Sequence, residues 1–519
     1  MTSSPSDPTS GALTPGSGTS GEGVARRDQQ RLRTGHLGVL AVAFFVVSAA
    51  APLTGMAGGA PVAMLLGNGP GMPGSYVVVT LLMLVFAVGY VAMARHHAAA
   101  GAFYSYVARA MGGHAGGAAA WVALLGYNAM QTGLYGLWGF ASAAFMESAF
   151  GLTIPWWVMA LFAWALIAVL GYRQIDLSLK VLGVLVACEF LIVAAFDLMV
   201  LFKGGAGGTA GLSMSPFSLD SFFTGSPAQG LLFAAASFIG FEATTIYSEE
   251  AREPARTIPR ATYLAVLTIG IFFMITCWLM VNAYGDNATL QDFLVSDDLG
   301  GDPTNFLFAM SSSYLGDFLT NYAMLFLFAT SLFAALLAFH NAVARYLYAL
   351  GRDGLVPERL GQTHSVFLSP HMGSVSQSAL AAVIIVVFAI AGLDPVLTLF
   401  TWLTQLGTLA ITYLMAASAL AVFVFFRRNP GLERSPWRSA AAPLISFAGL
   451  LALSIFATTK FSFLIGDPES VLGWLLPALV PVAMVVGWVS AQLLRTREPD
   501  AYAQIGRNRA VQLTEEANQ

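Results

Sequence analysis

The sequence predicts an all-α membrane protein with twelve transmembrane helices. Of its 519 residues, 57% are hydrophobic and 10% are charged, whereas an ordinary soluble domain carries about 25% charged residues. Long apolar runs recur between residues 37 and 494. Many of them reach the roughly 20 residues that an α-helix needs to cross about 30 Å of hydrocarbon. This composition excludes a soluble globular fold.

Apolar runs bounded by proline, glycine and charged clusters give the twelve predicted spans. In the first half of the chain they cover approximately residues 37–66, 75–94, 101–146, 154–171, 178–202 and 228–250. In the second half they cover approximately residues 260–283, 318–350, 373–391, 396–426, 441–463 and 471–494. The third and eighth runs are longer than one crossing, which favours tilt or a cytoplasmic extension.

The segments outside the apolar runs have the composition of tails. Residues 1–35 are rich in Ser, Thr, Gly and Pro and lack the apolar core of a signal peptide, so we expect a disordered cytoplasmic tail. Residues 496–519 are expected to form a cytoplasmic C-terminal tail.

Cys188 and Cys277 both lie inside apolar runs, which implies neither a disulfide framework nor a metal site. We expect no cofactor and no nucleic acid partner.

The distribution of basic residues predicts the orientation of the spans. Short cytoplasmic loops retain Lys and Arg, whereas loops on the other side do not. With both termini in the cytoplasm, 22 of the 24 basic residues fall inside, and only Lys203 and Lys460 fall outside. The loop from Tyr284 to Asp317 carries six aspartates and no basic residue. We therefore expect a multi-pass protein of the plasma (inner) membrane with both termini cytoplasmic.

Two predicted spans contain helix-breaking residues at membrane depth. The first holds five prolines and glycines within the eleven residues APLTGMAGGAP, residues 51–61, and the sixth places Gly240 two residues before Glu242. Unwound backbone is tolerated there only where it is buried in protein or lines a cavity. Broken helices at the start of each half of the chain predict an inverted-repeat transporter with its substrate site near the middle of the bilayer. The alternative is a pair of kinks that allow close helix packing.

Three motifs resemble those of the amino acid/polyamine/organocation (APC) superfamily. Residues 237–261, SFIGFEATTIYSEEAREPARTIPRA, resemble its sixth-helix signature. Residues 344–357, ARYLYALGRDGLVP, are similar to the end of its eighth helix, and residues 100–112, AGAFYSYVARAMG, to the connection between its second and third helices. The first break, TGMAGG, departs from the commoner family pattern.

The resemblance implies a five-plus-five inverted repeat followed by two further helices. The first repeat would cover residues 36–202 and the second residues 203–427, each with five helices, and residues 428–495 would hold helices eleven and twelve. It also implies secondary active uptake of an amino acid or related amine by alternating access.

Position by position, the resemblance implies a substrate site between the first and sixth helices. Backbone amide N–H groups at the first break would bind a carboxylate, and these belong to Thr54, Gly55, Met56, Ala57, Gly58 and Gly59. Carbonyl groups at the sixth break would accept from an ammonium group, and these belong to Phe238, Ile239 and Gly240. Phe241 would be an aromatic gate. Three uncharged polar residues would either line the cavity or bond a neighbouring helix, namely Asn128, Gln131 and Gln405.

Three acidic residues, Glu189, Asp197 and Glu242, lie within predicted spans, where a charge costs roughly 2.5–3.5 kcal/mol on insertion scales. Matching Ser178 to the start of the family's fifth helix places Glu189 eleven residues later, where several proton-dependent members carry a lysine. The resemblance therefore implies that Glu189 takes part in proton coupling. The alternative is a structural Glu189 that stays protonated, and Glu242 is the rival coupling residue.

Sodium is the other candidate coupling ion, and we expect a proton rather than sodium. In the eighth span, the hydroxyl groups of Thr330 and Ser331 would bind sodium together with carbonyl groups of the first break. Glu249 and Glu250 follow the sixth span, where pairing with nearby arginines is the simpler interpretation. His340 is expected to pack or to hydrogen-bond between helices.

Other functional classes fit the sequence less well. A membrane-embedded enzyme would need a catalytic constellation, and the acidic residues of the spans lack a partner His or a Cys/His cluster. A transporter-like amino acid sensor would keep the binding site but would normally add a soluble signalling domain. Sodium-coupled transport or exchange of a polyamine or amino alcohol is a further alternative.

Overall fold

The computed structural model describes residues 38–96, 102–173, 179–242, 244, 251–364, 366–367, 369–466 and 469–506. These residues are predominantly helical, and no β-strand occurs among them. Nine helices in the described part of the chain are long and apolar enough to cross a membrane, judged by length and composition. The proposed N-terminal tail, Glu249, Glu250 and the end of the C-terminal tail lie outside the described residues.

The helices follow one another along the chain, and the longest connections between them include residues 204–226 and 285–305. The first eight are α1 (Val39–Ala49), α2 (Thr54–Leu66), α3 (Met72–Ala94), α4 (Ala102–Met111), α5 (Gly113–Phe150), α6 (Trp156–Arg173), α7 (Leu179–Lys203) and α8 (Pro227–Ala236). The next eight are α9 (Pro254–Tyr284), α10 (Phe306–Leu315), α11 (Leu325–Arg352), α12 (His371–Ile390), α13 (Thr401–Arg428), α14 (Ala442–Thr459), α15 (Leu472–Arg497) and α16 (Pro499–Ala503). Two four-residue helices, Leu219–Phe222 and Leu290–Phe293, lie in the connections. Single π-helical turns precede α11, α13 and α14.

The third apolar run is two helices rather than one long one. Gly112 separates α4 from α5 and has a φ angle of +96°, a conformation that glycine adopts without steric cost. The run over residues 101–146 therefore comprises a ten-residue helix, α4, and the beginning of the 38-residue α5. The eighth run, by contrast, is continuously helical from Leu319 to Arg352.

The break in the first span lies earlier than the sequence pattern predicts. α1 ends at Ala49, Ala51 has a φ angle of +45°, and Pro52 cannot donate a backbone hydrogen bond. The stretch Thr54–Gly59 is wound as a π-helix, and the Gly55 N–H donates to the Ala51 carbonyl at 3.0 Å. The expectation that Thr54–Gly59 offers free backbone N–H groups is therefore wrong, because its glycines are wound into the start of α2.

The predicted break in the sixth span is present. α8 ends at Ala236, and residues 237–242 continue as a series of turns. Gly240 has a φ angle of +107°, which an L side chain rarely adopts. The Phe241 N–H donates to the Phe238 carbonyl at 3.2 Å, which closes one of these turns.

α5 lies at the centre of the helix bundle. It packs against α6, α11, α13 and α15. Glycines bring α5 and α13 close together, since a Cβ atom on Gly407 would lie 2.7 Å from the Gly126 carbonyl oxygen. Small residues allow this approach in membrane proteins. α5 therefore packs closely against both α11 and α13.

Candidate functional site

A cavity of about 80 Å³ lies where the two interruptions meet. Ala50 and Ala51 of the first interruption line it, as do Ala236 and Ile239 of the sixth-span interruption. The opposite wall comes from α5, α11, α13 and the turn before α13, to which Phe400 belongs. Five of its side chains are apolar or aromatic, namely Met130, Leu134, Ala335, Phe339 and Phe400. The polar lining residues are Thr54, Ser237, Thr404 and Gln405.

Helix ends give the cavity its polarity. α1 and α8 both end at it, and the C-terminal end of a helix carries a partial negative charge. α2 begins there, and the N-terminal end of a helix carries a partial positive charge. The cavity therefore adjoins one set of backbone acceptors and one set of backbone donors.

Glu189 accepts hydrogen bonds beside this cavity. Its Oε2 atom accepts from the Ser331 hydroxyl at 2.7 Å and from the Leu53 N–H at 3.4 Å. The Thr54 hydroxyl, on the cavity wall, donates to Ser331 Oγ at 3.1 Å. A chain of two hydrogen bonds thus joins the cavity wall to the carboxylate of Glu189, which is 1% exposed.

Leu53 is the donor to Glu189 that was not predicted from the sequence. It is the first residue after Pro52 with a backbone N–H, so it supplies the first donor at the start of α2. This donor could have been found from the sequence, because the residue after a proline in a helix break carries the first backbone N–H that is available there.

Among the described lining residues, Gln405 carries a buried side-chain atom without a hydrogen-bond partner. Its side chain is 1% exposed, and its Oε1 atom has no hydrogen-bond partner among the described residues. The other polar lining side chains are committed elsewhere: Thr404 donates to the Phe400 carbonyl at 2.7 Å, and Ser237 shares a 3.2 Å hydrogen bond with the Tyr76 hydroxyl. Gln405 Oε1 is therefore a buried acceptor in a residue of the cavity wall.

The structure divides the other predicted binding residues between the cavity wall and the surrounding packing. Five line the cavity, namely Thr54, Gly55, Gly59, Ile239 and Gln405. Six others are absent from its wall, namely Met56, Ala57, Gly58, Phe238, Gly240 and Phe241. A Cβ atom on Gly58 would lie 2.5 Å from Leu137 Cδ2, so this glycine serves helix packing. Phe241 is buried in an aromatic cluster with Phe86 and Tyr90, and does not face the cavity as a gate.

Asn128 and Gln131 do not line the cavity. Asn128 donates to the Leu124 carbonyl of its own helix at 2.7 Å. Gln131 lies 3.2 Å from His340 Nδ1 and also accepts from Gln377. On the other side of the His340 ring, Nε2 lies 2.7 Å from the Ser374 hydroxyl. Gln131 and His340 therefore join α5, α11 and α12 through side-chain hydrogen bonds.

Glu242 holds the sixth-span interruption in shape. Its Oε2 atom accepts from the Gly240 N–H at 2.8 Å, and its Oε1 atom accepts from the Tyr127 hydroxyl. The Tyr90 hydroxyl donates to its backbone carbonyl at 3.2 Å. Each carboxylate oxygen thus has a fixed donor. No sequence motif indicated the contribution of Tyr127.

Thr330 and Ser331 do not form a joint oxygen site. The Thr330 hydroxyl donates to the Leu327 carbonyl of its own helix at 3.0 Å, whereas the Ser331 hydroxyl donates to Glu189. Adjacent residues on a helix point about 100° apart, which separates the two hydroxyl groups. Ser331 therefore belongs to the Glu189 site, and Thr330 does not.

Comparison with known proteins decides the family. A family model described as amino acid permease matches residues 37–489. The chain belongs to the amino acid permease family. The chain is therefore a multi-pass membrane protein of the APC superfamily.

The relatives of this permease are named for different substrates. The low-affinity putrescine importer PlaP of Escherichia coli is 25% identical over 320 residues, which cover 60% of this chain and 66% of that protein. The chain thus spans slightly less than two thirds of the importer's length. The branched-chain amino acid permease BcaP of Bacillus subtilis is 23% identical over 440 residues, which cover 79% of this chain and 85% of that protein.

A solved structure supports the fold. The crystal structure of a manganese transporter mutant from Eremococcus coleocola superposes with a TM-score of 0.56 at 13% identity. The superposition covers 91% of this chain and 97% of the other. At this identity the likeness shows the fold alone.

Proposed function

We propose that this permease is a secondary active transporter that imports an amino acid or related amine across the plasma membrane by alternating access. The observation that carries the proposal is the cavity between two helix interruptions, with helix ends of both polarities beside it. Discontinuous helices of this kind let a transporter bind a polar ligand at membrane depth. Movement of the interrupted helices against α5, α11 and α13 would open the cavity to either side in turn.

The proposal includes the arrangement of the whole chain. Twelve spans would place both termini in the cytoplasm, with repeats at residues 36–202 and 203–427 and two further helices in residues 428–495. The bias of basic residues supports this orientation, since 22 of 24 fall on one side.

The proposed coupling ion is a proton bound by Glu189. In the ionised state, the carboxylate accepts from Ser331 and from the Leu53 N–H at the start of α2. Protonation removes the negative charge and weakens both hydrogen bonds, because donors bind a carboxylate more strongly than a neutral acid. The start of α2 and the Ser331–Thr54 hydroxyl pair would then be free to bind a substrate carboxylate. Proton and substrate would thus favour the same state, which is the thermodynamic requirement for coupling.

Glu242 is less well suited to this role. Its two carboxylate oxygens already accept from Tyr127 and from the Gly240 N–H, and both donors stabilise the interrupted backbone. Loss of its charge would disturb the shape of the sixth-span interruption. A sodium ion is also less well supported, since the hydroxyl groups of Thr330 and Ser331 serve different partners.

Reconstitution tests the proposed function. The purified permease is screened by thermal shift against amino acids, amines and polyamines. The best ligand is then offered to proteoliposomes with and without an inward proton gradient. We expect accumulation above the external concentration only with the gradient. Uptake that never exceeds equilibration, with no response to protons or sodium, would contradict secondary active transport.

A further inference from the structure

We infer that Asp197 is a second proton-binding residue of this permease, and that it takes up a proton from the outer side and passes it to Glu189. The inference rests on the proposed proton coupling and extends it from one carboxyl group to two. Three observations carry it: the position of Asp197 on α7, the surroundings of its two carboxylate oxygens, and the partners of the neighbouring cation.

Asp197 lies on the same buried face of α7 as Glu189. Glu189, Val193 and Asp197 follow one another at intervals of four residues, which places them on one face of the helix. Their exposed fractions are 1%, 0% and 8%. Eight residues correspond to about 12 Å along the helix axis. Since α7 ends at Lys203, which is expected outside, Asp197 is the outer of the two carboxyl groups in the proposed orientation.

The two carboxylate oxygens of Asp197 have different surroundings. Oδ2 accepts from the Thr276 hydroxyl of α9 at 2.7 Å, whereas Oδ1 is buried and has no hydrogen-bond partner among the described residues. An ionised carboxylate would leave charge on Oδ1 without a donor at membrane depth, which is strongly unfavourable. A proton on Oδ1 removes that charge, and Oδ2 keeps its hydrogen bond as the carbonyl oxygen.

No ion pair involves Asp197 within the described ranges. The elements that pack against α7 are α9, α10, α11 and the turn of residues 205–210. That turn and residues 325–338 of α11 contain no ionisable side chain. The ionisable groups that neighbour Asp197 on α7, α9 and α10 are Glu189, Lys203, Cys277 and Tyr314.

Lys203 is the cation among these groups, and it has other partners. Its Nζ atom lies 4.9 Å from the centre of the Tyr314 ring and donates to the Ser313 carbonyl at 3.4 Å. A residue six positions after Asp197 points about 120° away from it on a helix. Lys203 therefore does not neutralise Asp197. A proton is the cation that a carboxyl group can bind without further ligands.

Val193 determines how a proton passes between the two carboxyl groups. Its fully buried side chain occupies the turn between Glu189 and Asp197, so no direct transfer occurs in this conformation. Water that enters beside α7 when the helices move would connect them. The Asp197 acid then gives its proton to this water and becomes a carboxylate, while the water gives a proton to the Glu189 carboxylate. Asp197 is thereby ready to take up the next proton from outside.

Infrared difference spectroscopy tests whether Asp197 binds a proton. Spectra of the purified full-length permease are recorded without substrate as the pH is stepped from acidic to alkaline. A protonated carboxyl group has a C=O stretching band that disappears on ionisation, and a buried group absorbs at a higher wavenumber than one that is bonded to water. We expect Asp197→Asn to lose one such band and Glu189→Gln to lose another. An Asp197→Asn spectrum with every parental band would overturn the inference.

Thr276→Val separates proton binding from helix packing. Valine keeps the shape of Thr276 and leaves the carboxyl group of Asp197 without its donor. The Asp197 band should therefore remain and move to a higher wavenumber. Asp317→Asn removes an exposed carboxyl group at the start of the eighth span and should leave the buried bands unchanged. Loss of the same band in Asp317→Asn would assign it to the exposed group and overturn the inference.

Uptake into proteoliposomes tests the transfer to Glu189. Asp197 is absent from the cavity wall, so Asp197→Asn should keep ligand affinity and counterflow exchange. Its initial uptake under an inward proton gradient should fall towards the rate without a gradient, and Asp197→Glu should restore part of the loss. Parental stimulation in folded Asp197→Asn would overturn the transfer. If the parent protein transports no ligand, the proposed function fails, whereas the spectra still decide whether Asp197 binds a proton.

Discussion

The Ser331 hydroxyl donates to the Glu189 carboxylate at 2.7 Å, although the two residues are 142 positions apart in the chain. This contact joins α7 to α11, and the Leu53 N–H adds the start of α2 to the same carboxylate oxygen. Three helices therefore meet at one group that can gain or lose a proton. The charge on Glu189 is in a position to bias how these helices pack, which is the property that a coupling residue requires.

Removal of the Ser331 hydroxyl should weaken coupling. In Ser331→Ala, Glu189 loses one of its donors, and Thr54 loses its link to the carboxylate. We expect an inward proton gradient to stimulate uptake less than in the parent protein. We also expect a lower melting temperature, because losing a hydrogen bond to a charged group reduces the free energy of unfolding by about 1–3 kcal/mol. Both are measured on reconstituted and detergent-solubilised protein.

Thr330→Val is the matched control for Ser331→Ala. The Thr330 hydroxyl donates within its own helix, and valine keeps its shape. Gradient stimulation should therefore stay at the parental level. If Thr330→Val reduces coupling as much as Ser331→Ala does, the effect belongs to α11 in general and not to the contact with Glu189.

Two neighbouring glycines of α2 should respond differently to a leucine side chain. Gly59 lines the cavity, and a Cβ atom there meets no atom within 4 Å. Gly59→Leu should therefore fill the cavity and abolish ligand binding in a folded protein. Gly58 faces Leu137, so Gly58→Leu should lower the melting temperature. Ligand titration and thermal unfolding of both variants separate these outcomes, and full ligand affinity in Gly59→Leu would exclude this cavity as the binding site.

The contribution of Asp353, which contacts the C-terminal segment, to the stability of the permease should depend on pH. The Gly506 N–H donates to Asp353 Oδ2 at 3.1 Å, and burial raises the pKa of Asp353 to about 6. Since the folded pKa lies above the ordinary value of 3.8, folding favours the protonated acid, and stability falls as the pH rises from about 4 through about 6.

The variant Asp353→Asn keeps an acceptor for Gly506 but carries no charge. It should therefore be more stable than the parent protein at pH 7.5, and this advantage should shrink below pH 6. Thermal unfolding at pH 7.5 and pH 5 measures the difference. An advantage that grows on acidification would have the wrong sign for a buried carboxyl group with a raised pKa.

Cysteine labelling tests the orientation of the chain. In a background without Cys188 and Cys277, Arg434→Cys is expected to be protected from a membrane-impermeant maleimide in intact cells. Lys460→Cys serves as the opposite control, because it is one of two basic residues predicted outside. Labelling at position 434 with protection at position 460 would invert the predicted topology.

The sequence predicts the fold better than it predicts the details of the site. Apolar runs and breaks are properties of local composition, so the helices and the sixth-span interruption at Gly240 could be located from residue type alone. The apolar run alone did not show the division at Gly112, because an isolated glycine inside an apolar run is usually tolerated, whereas the resemblance assigned residues 100–112 to a connection between two helices. The first break lies at Ala51 and Pro52, since the following glycines are compatible with a π-helical turn.

Side-chain partners were the least predictable part. Gln131 was a reasonable candidate for the cavity as an uncharged polar residue at membrane depth, but its direction on α5 depends on packing against His340. The link between Ser331 and Glu189 joins two distant parts of the chain, so only the tertiary structure brings them together. Gln405 could be named from the sequence, whereas its lack of a partner could not.

The proton response of Glu189→Gln tests the central proposal most directly. Glutamine resembles the protonated acid in shape and charge, so the variant should retain substrate binding and counterflow exchange in proteoliposomes. Uptake by the parent protein should accelerate under an inward proton gradient, whereas uptake by Glu189→Gln should proceed at the same rate with and without it. Gradient-driven accumulation by Glu189→Gln at the parental level would contradict the account and make Glu189 a structural residue, with Glu242 or a sodium ion left to provide the coupling.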